Sequence, residues 1–148
     1  MEDYNYQAKL ALTKNDYKTA RVALNKIIEL YPETAYATAA QKALDGIVPV
    51  AVAYYKKKGD ANYHPEGHDG VPQTKAREFY ESMYNEDPDG PKADYALYYW
   101  ARALGTEGKM QLEIKLLQQH LEKFPKSKMR GQALYLLGFT YACNNIRQ

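Results

Sequence analysis

"YPETAYATAAQKAL", residues 31–44, and "FPKSKMRGQALYLLG", residues 124–138, decide the fold of this chain. Each opens on an aromatic residue followed by proline, Tyr31-Pro32 and Phe124-Pro125. Each then places a hydroxyl two residues on, Thr34 and Ser127, before a run rich in alanine or leucine. Proline lacks an amide hydrogen and its ring collides with the preceding turn, so an arriving helix stops there. Threonine or serine just beyond is a suitable N-cap for the next helix. Upstream of the joints, "YKTARVALNKIIEL" (17–30) sets Ala20, Val22, Ala23, Leu24, Ile27, Ile28 and Leu30 at helical spacing. "KMQLEIKLLQQHLEKF" (109–124) does the same with Leu112, Ile114, Leu116, Leu117, Leu121 and Phe124. Helix, stop, cap and helix therefore recur.

Superposing the prolines exposes a repeat. Pro32 laid on Pro88 matches Ala20-Arg21 with Ala76-Arg77, Leu24 with Tyr80, Ile27 with Met83 and Ala40 with Ala96. Laid on Pro125, it matches Leu24 with Leu117, Glu29 with Glu122, Ala40 with Ala133 and Leu44 with Leu137. A helical hairpin recurring at about 34 residues signals a stack in which each hairpin buries its apolar face on the next. The expected fold is all-α: an α-solenoid of three hairpins and a C-terminal capping helix. The expected repeats fall at about 1–33, 34–90 and 91–126, with a final helix at 127–145, in a single domain over 1–148.

The second repeat is longer than the others. Leu44 to Ala76 spans 32 residues where Gln7 to Ala20 spans 13. Part of the excess reads as helix continued past a kink or break at Pro49 and ending at Gly59 after a lysine run. The rest, residues 59–72, reads as an inserted loop containing "NYHPEGHDGVP".

Composition narrows the function. The chain has 148 residues, 45% hydrophobic and 26% charged, values of an ordinary folded protein. A net charge of +2 spread along the sequence is not the basic field that nucleic-acid binding needs. One cysteine, Cys143, excludes an internal disulfide framework and a cysteine-rich zinc site. The amino terminus, "MEDYNYQAKL", has no apolar core, so the expectation is a cytoplasmic protein or a domain excised from a longer one. The distinctive count is 15 tyrosines, stiff amphipathic rings that suit both helix packing and partner contact.

Leu134, Leu137, Gly138 and Tyr141 resemble the first helix of a tetratricopeptide repeat, W-x2-L-G-x2-Y, with Leu134 in the tryptophan place. Tyr4, Ala8, Ala11, Ala20, Leu24, Ile27 and Pro32 supply the same pattern in the first repeat, and Leu97, Trp100, Ala101, Leu104, Leu117 and Pro125 in the third. The third departs from it at Glu113 and His120, where small residues are usual. The two proline joints, with "YYKKKGDAN" and "KADYALYYWARAL", are also similar to bacterial envelope proteins of the outer-membrane assembly lipoprotein (BamD) and Tol-associated (YbgF) type. That finer resemblance implies a periplasmic or outer-membrane-associated scaffold, with the cytoplasm as the alternative.

The tetratricopeptide resemblance implies a non-enzymatic scaffold whose first helices line a groove for a protein or peptide. It carries the groove to Asn5, Lys9, Lys42, Tyr95, Tyr98, Arg102, Tyr135 and Phe139, aromatic anchors with a few cations. The lysine-asparagine clamp of chaperone-binding members is not reproduced, since Ala43, Tyr95 and Tyr99 stand at its places. The alternative is a metal module in the insertion, where His64 and His68 stand four apart beside Glu66 and Asp69. Pro65 and Gly67 oppose the helix that would bring both rings to one face. His120 reads as a packed or half-exposed core histidine and Cys143 as a small buried or terminal residue. With no phosphate loop, nucleophile motif or paired carboxylates, neither an enzyme nor a cofactor is expected. Direct membrane insertion is not expected, and homo-oligomerisation is left open.

Overall fold

The computed structural model describes residues 3–64 and 73–147, and among them every regular element is a helix. These are α1 (Tyr4–Thr13), α2 (Tyr17–Leu30), α3 (Ala35–Asn62), α4 (Thr74–Glu86), α5 (Ala93–Thr106), α6 (Met110–Lys123) and α7 (Arg130–Arg147). The fold is all-α, built of helical hairpins of the solenoid class, as the repeat predicts. The chain divides into two compact units, Met1–Tyr54 and Tyr55–Gln148.

In the first unit α1 and α2 form a hairpin over Ala8, Ala11, Ala20, Ala23 and Leu24. Alanines on both helices let the backbones approach closely. The turn is fixed by Asn15 in the left-handed region at φ 57°, and by the Asp16 carboxylate, which accepts from the Thr19 amide at 3.1 Å and caps α2. At the following joint the Thr34 hydroxyl donates to the Tyr31 carbonyl at 2.6 Å and accepts from the Ala37 amide at 3.2 Å, the expected N-cap. Tyr17 is buried and meets Tyr54 edge-on at 5.9 Å.

α3 differs from its expectation. It is a single helix of 28 residues with Pro49 inside it, and it ends at Asn62 rather than Gly59. Pro49 is exposed, so its missing amide and its ring disturb only the solvent side of the helix. The end lies further on because the Asn62 side chain donates to the Lys58 carbonyl at 2.7 Å and satisfies the last turn. The inserted segment is correspondingly shorter. Its neck is closed by Gln73, fully buried, whose side-chain oxygen accepts from the His64 amide at 3.2 Å while its nitrogen faces the His64 carbonyl at 3.5 Å.

In the second unit α4, α5, α6 and α7 pack in succession, with α5 between α4 and α6. Ala76, Tyr80, Met83, Ala96, Leu97, Ala101 and Leu117 form its core. The α5–α6 turn places Gly108 at φ 82°, 93 residues after Asn15, the same interval that separates Pro125 from Pro32. The backbone bond closing that turn repeats too: the Lys109 amide donates to the Leu104 carbonyl as the Asp16 amide donates to that of Ala11, both at 2.9 Å. α7 begins at Arg130, three residues after Ser127, so the Ser127 hydroxyl orders the joint instead of capping the helix directly as expected. That hydroxyl accepts from the Met129 amide at 3.0 Å and donates to Asp94 at 2.5 Å, tying the joint to α5. No described helix is long and apolar enough to cross a membrane.

Candidate functional site

Helix α5, "ADYALYYWARALGT", separates two kinds of residue. Its alanines and leucines are buried, while Tyr95, Tyr98, Tyr99 and Arg102 recur at three- and four-residue steps and share a face. On α7 Tyr135 and Phe139 stand four apart. Packing α5 and α7 within one unit produces a groove of about 510 Å³ lined by Tyr98, Arg102, Gly131, Gln132, Tyr135, Leu136 and Phe139. Tyr98 is its floor at 4% exposure; Tyr135 and Phe139 form its lip at 77% and 58%.

Arg102 also belongs to a second hollow of about 220 Å³, with Asp60, Tyr63, Tyr80, Tyr95 and Tyr99. The Asp60 carboxylate organises it. One oxygen accepts from the hydroxyls of Tyr80 at 2.8 Å and Tyr95 at 2.7 Å, and the other pairs with Lys56 at 2.8 Å. Partial burial would raise this carboxyl, but the bonds from Lys56, Tyr95 and Tyr80 outweigh it and hold it below the usual range. Burial pushes the hydroxyls of Tyr80, Tyr95, Tyr63 and Tyr98 above the usual tyrosine range, so all four are neutral donors. The rings make a continuous cluster: Tyr80 stacks on Tyr99 at 5.5 Å, Tyr95 tilts on Tyr99 at 4.6 Å and Tyr63 meets Tyr99 edge-on at 5.4 Å. The Arg102 guanidinium lies 5.7 Å from the Tyr63 ring centre.

Two polar residues lie buried on α6. Glu113, 4% exposed, accepts a short bond from the Thr140 hydroxyl, and burial raises its carboxyl despite the pull of that bond and of Arg102. Gly105 makes room for it, since a Cβ there would lie 1.6 Å from a Glu113 carboxylate oxygen. His120 is fully buried between Tyr98 and Phe124, and among the described residues neither ring nitrogen has a hydrogen-bond partner. Burial lowers its basicity, which Asp94 partly restores, so the imidazole is a neutral packing group. Cys143 is half-buried on α7.

Of the residues expected in a groove, Tyr98, Arg102, Tyr135 and Phe139 surround one cavity. Tyr95 lies in the adjoining hollow, its hydroxyl committed to Asp60. Asn5, Lys9 and Lys42 are exposed residues of the first unit and share neither lining. The sequence pattern does not single out Asp60, Tyr63 or Tyr80 as site residues; Asp60 falls in the expected loop, and the signal that places it on the helix is the four-residue step from Lys56, which suits a helical ion pair. Glu66, His68 and Asp69 lie outside the described residues. His64 is exposed, and among the described residues no group of three or more histidine, cysteine or carboxylate side chains is placed to hold a metal.

No curated protein matches the chain. A family model described as tetratricopeptide repeat matches residues 6–34, which take in most of α1 and all of α2, and 95–127, which take in most of α5 and all of α6. Repeats of this family generally mediate protein–protein interaction. The two matched segments, one in each unit, are similar to tetratricopeptide repeats, and each contains one of the paired positive-φ turn residues, Asn15 or Gly108.

Proposed function

We propose that the chain is a non-enzymatic interaction scaffold that receives a protein or peptide partner on the face formed by α5 and α7. The observation that carries this reading is the side-by-side exposure of Tyr135 and Phe139 above the Tyr98 floor, with Arg102 in the wall. Covering a large aromatic side chain releases roughly 1.5–3 kcal/mol, and aromatic residues with arginine make the usual hot spots of an interface. The described lining contains no histidine, cysteine or carboxylate, so among the described residues it offers binding area rather than a nucleophile with its base.

Selection of a displayed random-peptide library on the immobilised protein tests this. Peptides enriched on the wild type should be lost on a Tyr135→Ala/Phe139→Ala variant whose helicity is unchanged. Equal retention by both proteins sinks the groove.

The proline joints and their similarity to envelope proteins support a narrower reading, a module of a larger bacterial envelope complex. Fractionation of cells expressing the full-length gene checks it: periplasmic or outer-membrane recovery supports the assignment, and purely cytosolic recovery refutes it.

A further inference from the structure

Four cations of the second unit are held in ion pairs. Arg77 directs its Nε to both oxygens of Glu107 at 3.2 Å, Lys109 pairs with Glu107 at 3.2 Å, Lys56 with Asp60 at 2.8 Å and Lys123 with Asp89 at 3.2 Å. Arg102 forms no ion pair among the described residues. The two carboxylates nearest to it in this cluster are both engaged. Asp60 is held by Lys56, Tyr80 and Tyr95. Glu113 is buried, bonded by Thr140, and raised by that burial toward its neutral form. The guanidinium is therefore half-buried among the rings of Tyr63, Tyr98 and Tyr99 with no described carboxylate at ion-pair distance, in the wall shared by the aromatic groove and the smaller hollow.

A partly desolvated guanidinium offers planar, forked donors that match a carboxylate, and a charge-assisted pair formed there is stronger than one in open water. Among the described residues the only charged side chain in the groove lining is positive, and the rest of that lining is largely apolar. Resting on the groove proposed above, we propose that its occupant is a peptide segment that sets an acidic side chain beside a large apolar one. The aspartate or glutamate pairs with Arg102, and its neighbour lies between Leu136, Tyr135 and Phe139.

The test uses two acetylated, amidated octapeptides in a glycine–serine frame, one with glutamate next to phenylalanine and one with glutamine in place of the glutamate. Blocking the ends leaves the side chain as the sole anion. Affinities are read by NMR shift titration of the whole chain. Wild type should bind the glutamate peptide about ten-fold more tightly than its glutamine counterpart, a preference that shrinks in high salt. Arg102→Gln should bring the ratio to about one, and Arg102→Lys should keep part of it, because lysine retains the charge without the fork. Phe139→Ala should weaken both peptides and preserve the ratio. Thermal melts of the variants ensure that a lost ratio is not lost fold.

Equal binding of the two peptides by wild type overturns the acidic occupant but leaves the groove standing. A preference that survives in Arg102→Gln overturns it too. If neither peptide shifts any resonance at millimolar concentration the assignment is likewise refuted, and the library selection then decides the groove independently.

Discussion

Gly108 and Asn15 hold the same place in two hairpins, each with positive φ. A side chain with a Cβ is strained there unless, like asparagine, it can bond locally. Gly108→Ala should cost about 1 kcal/mol in urea unfolding, whereas Asn15→Gly should be close to neutral. His120 supplies a pH dependence whose sign follows from its burial. Its folded pKa lies below the ordinary 6.5, so the unfolded chain takes up the proton first. Its share of stability is whole above pH 6.5 and declines as pH falls below that value. Glu113 acts oppositely: its folded pKa is raised above 4.5, so its share is whole below 4.5 and declines as pH rises through the folded value. Stability measured between pH 4.5 and 6.5 for wild type and His120→Phe separates them, the variant losing the fall toward acid that histidine causes. The sequence marked both residues as departures from small side chains but could not say how a helix accommodates them. The room for Glu113 is made by Gly105 on the opposing helix, a tertiary fact that periodicity on α6 cannot reveal.

Among the elements, α3 makes the sharpest prediction. Pro49 leaves an unpaired carbonyl one turn earlier in a continuous helix and lies at an exposed position. Pro49→Ala should stabilise the chain, by up to about 3 kcal/mol, with higher ellipticity at 222 nm as the check. Gln73 is the second. Removing its carboxamide as Gln73→Ala breaks both contacts to the His64 backbone and should cost about 1–2 kcal/mol. Hydrogen exchange at the His64 amide should accelerate in that variant. The proline joints were legible because proline geometry and a hydroxyl cap act within a few residues of sequence. The end of α3 was not, since the Asn62 cap and the Gln73 clasp depend on which groups the fold brings together. Gly59 looked like a helix end but is buried against Tyr80, a Cβ there lying 2.7 Å from the ring. Its glycine serves close packing inside the helix instead.

For the molecule as a whole, the account turns on the aromatic face of the second unit. Tyr98, Arg102, Tyr135 and Phe139 are grouped from sequence only through the resemblance to tetratricopeptide repeats, whose first-helix groove places they take on α5 and α7. The tyrosine cluster around Asp60 is not grouped in this way, because it gathers side chains from α3, α4 and α5 with Tyr63 beyond the end of α3. The decisive measurement maps the bound surface directly: assigned NMR spectra recorded while a selected peptide is titrated into the full chain. The account predicts saturable shifts concentrated at Tyr98, Arg102, Tyr135, Leu136 and Phe139, with α1 and α2 unmoved. Shifts clustered on another surface, with these five residues silent, would contradict it.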